Sequence, residues 1–256
     1  MSVLQAERLE KIRDYLVANK YASINELAET FQTSPATIRR SLKELEEKKI
    51  VESIRGGAVL RGNGNTFEHP YSIKRRRNES EKKRIAAYAA SLVPANSSIY
   101  LDASSTVREM TDLLHDKKGV SVCTNDVLIA GDLSSATDLV VMVTGGVLRQ
   151  GFYSLSGYFA DQFASRIQVD RAFMGIDAIS TTNGLMLTNS EDISVKQTVG
   201  QMSGELIVLA DHEKFRQGAF LKALDFSDVA LVITGTELSD ELYRQFSDLG
   251  LNIKRV

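Results

Sequence analysis

From residue 97 to the end of the chain, seven short and mainly apolar runs alternate with stretches of helical spacing. They read "SSIYLD", "GVSVCT", "LVVMVTGG", "RAFMGID", "ELIVLA", "VALVIT" and "LNIKRV". A strand wet on one face alternates apolar with polar residues. Continuous apolar runs separated by helices instead belong to a mostly parallel sheet covered on both faces. This part of the chain is therefore expected to be α/β. In open sheets of that kind, ligands sit beyond the carboxyl ends of the strands. The polar residues that close the runs become the candidates for function.

The first part of the chain has a different grammar. Leu4, Leu9, Ile12 and Leu16 recur at helical spacing with charges between them. "SINELAETF" opens on Ser23 with Glu26 three residues later, a capping box, and Ile24, Leu27, Ala28 and Phe31 share one face. After the turn "QTS" comes "SPATIRRSLKELEEKK", with Ser34 as N-cap and Pro35 at the first helical position, where its missing N–H is harmless. Two helices joined by a tight turn predict a helix-turn-helix at about residues 20–39.

In the second of these helices Ile38, Leu42 and Leu45 point inward, leaving Ala36, Arg40 and Lys43 on the opposite face flanked by Thr37 and Arg39. A small residue, a hydroxyl and guanidinium groups near a helix start suit a recognition helix, which meets base edges while its cations meet phosphates. A merely solvated cationic face is the alternative. "KIVESIRGGAVLRG" then reads as two strands turned around Gly56 and Gly57, a wing that presents Arg55 and Arg61.

Charge agrees with this division. Residues 1–77 carry 15 Lys and Arg against 10 Asp and Glu, a net +5; the rest carry 16 against 23, a net −7. Only the front end is suited to a polyanion. The polar stretch 59–80 is expected to be a linker, and its cluster Lys74, Arg75, Arg76 and Arg77 either touches phosphates or pairs with the acidic body. These boundaries give a DNA-binding domain at 3–58 and a second domain at 81–256. No apolar run is long enough to span a bilayer, and the charged start is unlike a secretory signal, so a cytoplasmic protein is expected. Cys123, the one cysteine, lies in an apolar run and is read as packing rather than as a redox sensor. His69, His115 and His212 show no metal-ligand spacing, so neither a metal nor a cofactor is expected.

Four strand ends carry candidate groups. "YLDASST" offers Asp102, Ser104, Ser105 and Thr106 where a strand hands over to a helix; "CTND" offers Thr124 and Asn125. "VTGGVLRQG" offers Gly145, Gly146 and Arg149; "LADHEKF" offers Asp211 and Lys214. Taken singly, each has a plainer explanation in capping, turning or pairing.

Both halves resemble the DeoR family of bacterial transcriptional regulators. Ser34, Thr37, Ile38, Arg39, Arg40, Leu42, Gly56 and Gly57 match its helix and Gly-Gly wing, with Ser41 where the family usually has Asp. Asp102, Ser105 and Thr106 match its Asp-x-Gly-Thr-Thr loop, Thr124 and Asn125 its Thr-Asn loop, and Gly145 and Gly146 its Gly-Gly. Lys196 matches its helix lysine; Asp211, Lys214 and Phe215 match its Asp-x-x-Lys-Phe segment.

The resemblance implies a winged helix-turn-helix followed by a sensor of the sugar-phosphate isomerase and CoA-transferase type. It implies a repressor of a carbohydrate-use operon that binds double-stranded operator DNA and is released by a phosphorylated sugar. Because a helix-turn-helix monomer reads only a half-site, a homo-oligomer, dimer or tetramer, is expected. Phosphate would meet residues 104–106, with Lys214, Lys196 or Arg149 adding charge, while Asp102 and Asn125 would take sugar hydroxyls. Ser104, standing where the family favours Gly, would reshape that pocket. The competing reading is a sugar-phosphate isomerase or transferase fused to a DNA-binding domain, with Asp102, Glu191, Asp192, Asp211 and Lys196 as acid/base groups.

Overall fold

A computed structural model describes residues 3–19, 21–48, 50–60, 68–216 and 218–256. Arg61 and the side chain of Leu4 lie outside what is described. The chain forms two compact units, 1–76 and 77–256.

The first unit contains α1 (Val3–Asn19), β1 (Tyr21–Ser23), α2 (Ile24–Thr30), α3 (Pro35–Glu47), β2 (Val51–Ile54), β3 (Gly57–Leu60) and α4 (Tyr71–Arg76). Leu9, Ile12, Leu16, Leu27, Ile38, Leu42 and Leu45 close on one small core. The capping box of α2 is complete: Ser23 Oγ accepts the Glu26 N–H at 3.1 Å, and the Glu26 carboxylate accepts the Ser23 N–H at 3.2 Å. The three strands run in the order β1-β3-β2, all antiparallel.

The wing differs in detail from its sequence reading. Ile54 pairs with Gly57, so the turn is Arg55–Gly56, not Gly56–Gly57. Gly56 is needed for its φ of +88°, whereas Gly57 is needed because a Cβ there would strike the Ala22 carbonyl of β1. The stretch expected as linker also holds structure, namely the end of β3, all of α4 and the opening of the next helix at Glu79. Its basic cluster divides: Lys74 pairs with Glu68 at 2.6 Å, and Arg77 pairs with Glu213 at 2.8 Å.

In the second unit the seven apolar runs become β4 (Ser98–Leu101), β5 (Val120–Thr124), β6 (Leu139–Val143), β9 (Val169–Gly175), β12 (Ser203–Leu209), β14 (Leu231–Thr234) and β15 (Ile253–Arg255). They form one sheet in the order β15-β14-β12-β9-β4-β5-β6, and every pair is parallel. Helices α5 (Glu79–Ser91), α6 (Thr111–Leu114) and α7 (Val127–Leu133) cover one face, burying Ile85, Met110, Leu114 and Ile129. Helices α8 (Tyr158–Ala164), α9 (Ile193–Gln201) and α10 (Asp240–Asp248) cover the other, with Ala160, Val195, Val199 and Phe246.

Two small antiparallel additions were not expected. One is the pair β7 (Val147–Leu148) and β8 (Leu155–Ser156); the other is the sheet of β10 (Ala178–Ser180), β11 (Gly184–Leu187) and β13 (Leu221–Leu224). No described helix is long and apolar enough to cross a membrane.

Chain order along the large sheet reverses between β4 and β9. Strands β5 and β6 extend it one way from β4, and β12, β14 and β15 extend it the other way from β9. The loops leaving β4 and β9 must diverge to opposite faces, which opens a crevice at their carboxyl ends.

Candidate functional site

On α3 the sequence pattern is realised face by face. Ile38, Leu42 and Leu45 are buried, while Ser34, Ala36, Arg39, Arg40 and Lys43 are exposed and Thr37 is half-buried. Ser34 caps the helix, its Oγ accepting the Thr37 N–H at 3.2 Å and lying 2.9 Å from the Thr37 hydroxyl. Arg55 stands exposed at the wing tip. Ser41 does not share the outer face. It is buried, and its Oγ accepts from Arg8 Nε of α1 at 3.1 Å. The departure at this position therefore changes a helix–helix contact rather than the basic face.

In the second unit Asp102, Ser104, Ser105, Thr106 and Lys196 come together at the carboxyl ends of β4 and β9. Asp102, at the end of β4, is wholly buried; its Oδ2 accepts the Gly175 N–H at the end of β9 at 2.9 Å and also pairs with the ammonium of Lys196. That ammonium donates in addition to the Gly175 carbonyl at 3.0 Å. Asp102 Oδ1 is buried with no hydrogen-bond partner. Burial raises the Asp102 carboxyl pKa, against the pull of Lys196 and the Gly175 N–H.

Ser105 and Thr106, in the same loop as Asp102, are both buried. The Lys82 ammonium, in the first turns of α5, donates to Ser105 Oγ at 3.3 Å, although Lys82 is itself buried. Lys82 was missed in the sequence, because a lysine in the opening turns of an amphipathic helix resembles any solvated one. Its only signal was a place directly across from the hydroxyl loop, which needs the fold to be seen.

Several expected roles change. The 102–106 segment does not open an α-helix directly; a 3-10 turn, Val107–Met110, comes first, and Thr106 makes no side-chain cap. The Thr106 N–H is already held by Ser104 Oγ at 3.2 Å, and the Ala103 N–H by Asn125 Oδ1 at 3.0 Å. Thr124 is turned inward, donating to the Leu101 carbonyl at 2.6 Å, and Asn125 is equally buried. These two residues tie the β5 loop to the β4 loop.

Arg149 is likewise engaged, with Glu191 at 2.5 Å, Asp192 at 3.3 Å and the Phe152 ring at 4.0 Å. Its charge, like that of Lys196, is compensated by carboxylates. Gly145 and Gly146 are exposed with φ of +70° and +119°, and a Cβ on Gly146 would sit 2.6 Å from the Ser156 carbonyl. Lys214 is half-buried and lacks an ion-pair partner among the described residues.

Asp211 is buried beside Glu81 and His212, and the ligand-capable atoms of the three lie within 4.8 Å of one another, so His212 is not isolated. The group is already knitted together. Glu81 accepts the N–H groups of His212 and Gly235 at 2.8 and 3.1 Å and faces His212 Nδ1 at 2.8 Å. Asp211 accepts from Asn78 at 3.1 Å. Burial raises the Glu81 carboxyl pKa despite the His212 contacts. Cys123 is buried and its thiol is pushed up to about 12, which suppresses the reactive thiolate.

Comparison with known proteins agrees with both halves. Residues 8–62 match the DeoR-like helix-turn-helix domain, and residues 77–236 match the DeoR C terminal sensor domain. The chain belongs to the DeoR family.

Relatives span nearly its whole length. The HTH-type transcriptional regulator GolR of Listeria innocua is 30% identical over 97% of this chain and 97% of its own. The glycerol-3-phosphate regulon repressor of Escherichia coli is 28% identical over 90% of each chain. The HTH-type transcriptional repressor GlcR of Bacillus subtilis is 31% identical over 90% of this chain and 88% of its own. Among solved structures, a ribose 5-phosphate isomerase from Plasmodium falciparum aligns over 54% of this chain and 53% of that one, with a TM-score of 0.40 and 18% identity. At that distance nothing about activity is taken from it.

As a DeoR-family chain, this is a DNA-binding transcriptional regulator and not an enzyme. The acid/base set of the competing reading is dispersed: Asp102 and Lys196 pair with each other, Glu191 and Asp192 hold Arg149, and Asp211 lies with Glu81 and His212. The DeoR loop glycine that Ser104 replaces has a counterpart across the crevice. Ser104 lies so close over Gly175 that a Cβ there would collide with it.

Proposed function

We propose that this regulator is a repressor of a carbohydrate-use operon, and that a phosphorylated sugar bound in the β4–β9 crevice lowers its affinity for the operator. Relatives that are repressors, one of a glycerol-3-phosphate regulon, support the class of target. The observation that carries the effector assignment is the chemistry at the sheet's reversal point. There a buried carboxylate oxygen without a partner, Asp102 Oδ1, lies in one loop with the Ser105 and Thr106 hydroxyls, and Lys82 reaches in from α5.

A phosphate meets the two hydroxyls and the ammonium of Lys82, with Lys214 adding charge from the β12 loop. Asp102 accepts a sugar hydroxyl through Oδ1, and Lys196 favours the ionised form of that carboxylate and holds it in place. Thr124 and Asn125 position the loop, and Gly145 and Gly146 let backbone approach the ligand. On the DNA side, Ala36, Thr37, Arg39 and Arg40 face base edges, while Ser34, Lys43 and Arg55 face phosphates. Two copies of the cytoplasmic chain read two half-sites. The division proposed is a DNA-binding domain at 3–58, a linker at 59–80 and an effector domain at 81–256; the separate helix-turn-helix and sensor matches, at 8–62 and 77–236, support it.

For the effector to act, it must bind the released state more tightly than the operator-bound state. The test is operator affinity measured with and without a panel of sugar phosphates. A thermal-shift screen on the wild type, Lys82→Met, Lys214→Ala and Ser104→Gly accompanies it. One sugar phosphate is expected to weaken operator binding and to stabilise the wild type but not Lys82→Met. If none does either, the effector assignment fails while DNA binding stands.

A further inference from the structure

The large sheet ends at β6, whose sequence "LVVMV" carries neither a charge nor a proline. Leu139 and Val141 turn into the core on one face. Alternation sends Val140 and Met142 to the other face, where they are 61% and 39% exposed. That is the face α8 covers further along the sheet, and α8 begins with Tyr158 and Phe159, 70% and 69% exposed, their rings 5.6 Å apart.

The hairpin of β7 and β8 joins these elements. Val147, 70% exposed, pairs with Ser156 and lies against Gly157 at the start of α8, with Leu148 beside it, also exposed. The hairpin follows β6 after Thr144, Gly145 and Gly146, and Gly146 lies against Ser156 and Ala160, so the six side chains stand on elements joined end to end. With side chains of their size, they expose roughly 600 Å² of apolar surface, at the upper limit for the largest patch on a typical monomer. One partner in a standard interface contributes about 800 Å², of which about 57% is apolar. The patch alone exceeds that apolar share.

We infer that this surface, β6 with the β7–β8 hairpin and the start of α8, is the isologous interface through which two copies of the chain pair. Three features select a second copy as the occupant. From Leu139 to Leu148 there is no charged residue, so two identical patches meet about a two-fold axis without like-charge conflict. The next charged residue along the chain, Arg149, is neutralised by Glu191 and Asp192, so it does not call for a partner of opposite charge. A free edge strand without lysine, proline or bulge invites pairing with an identical edge, which soluble proteins otherwise block. Leu113, Phe220 and Leu249 are also exposed but lie singly in the sequence and need no partner.

The inference rests on the proposed function only in that half-site reading calls for two copies; the surface itself belongs to the sensor. It also runs directly into Gly145, Gly146 and Arg149, so a ligand that moves this loop moves the rim of the interface.

Sedimentation of the full chain without DNA, from nanomolar to micromolar concentration, tests it. Val140→Asp and Phe159→Asp each place an unpaired charge in the interface and are expected to raise the dimer dissociation constant roughly 100-fold or more. Unchanged circular dichroism and thermal unfolding would show that both variants fold, and Tyr158→Asp serves if either does not. Phe220→Asp, an exposed aromatic outside the patch, is expected to leave the dimer intact. A monomeric wild type, or variants that dimerise like the wild type, would overturn the inference. So would dissociation by Phe220→Asp alone. Because DNA is absent, a failure of the regulator reading registers separately, as a wild type that dimerises but binds no DNA.

Discussion

Arg39, Arg40 and Lys43 stand on α3 with their charges in water, whereas Lys82 and Lys196 are buried within the sensor. Both sets are matched to anions, yet their physical settings are opposed. The α3 cations add little to the stability of their own unit, because water already solvates them; in the proposed role their worth would be realised when DNA releases counterions. Lys196 has exchanged water for the Asp102 carboxylate and the Gly175 carbonyl, so removing it strands a buried charge. Solvated cations can be exchanged one at a time to tune an operator. Buried ones are bound to the fold, and changes there register first as stability.

The sharpest way to break this contrast is Lys196→Met. It is expected to destabilise the sensor by about 3–5 kcal/mol in chemical denaturation, because the Asp102 carboxylate loses its counter-charge. A loss under about 1 kcal/mol, the range of a surface pair, would erase the distinction.

The second largest effect concerns Asp126, buried at the start of α7, where its Oδ1 accepts the Leu128 and Ile129 N–H groups at 2.7 and 3.2 Å and Oδ2 has no partner. Burial raises its pKa to about 6. The folded state therefore holds a proton that the unfolded state releases near pH 4, and stability falls as pH rises from about 4 to about 6. Asp126→Asn keeps the cap acceptor and is expected to remove that fall, on the order of 3 kcal/mol, read from denaturation midpoints across the window. An unchanged slope would place the titration elsewhere.

On the solvated side, Arg40→Ala is expected to leave unfolding within about 0.5 kcal/mol of the wild type while weakening specific operator binding by about 1–3 kcal/mol. Equal weakening on random DNA would assign Arg40 to phosphate instead of a base edge. The smallest effect is Ser23→Ala, which opens the capping box and is expected to cost about 1 kcal/mol of stability in the first unit, with sensor unfolding unchanged.

What could be read in the sequence follows the same divide between local and distant causes. All seven parallel strands were legible because a strand buried on both faces announces itself as a continuous apolar run. The capping box and the inward face of α3 were legible because their partners lie within one or two turns. The strands β1, β7, β8, β10, β11 and β13 were not, since two to four residues are too few to carry a period. Nor was the pairing of Asp102 with Lys196, 94 residues apart. The loop residues were found, but not their division of labour. Only the fold separates Thr124 and Asn125, which brace the loops, from Ser105 and Thr106, which line the crevice with Lys82.

Ser104 and Gly175 share a single volume across that crevice. Their histories are therefore coupled in order as well as in kind. A chain of this type can lose the Ser104 side chain first and enlarge residue 175 afterwards, but the reverse sequence passes through a collision. Drift in the pocket is ratcheted: while Ser104 stands, glycine at 175 is compulsory, and that wall of the site is closed to change.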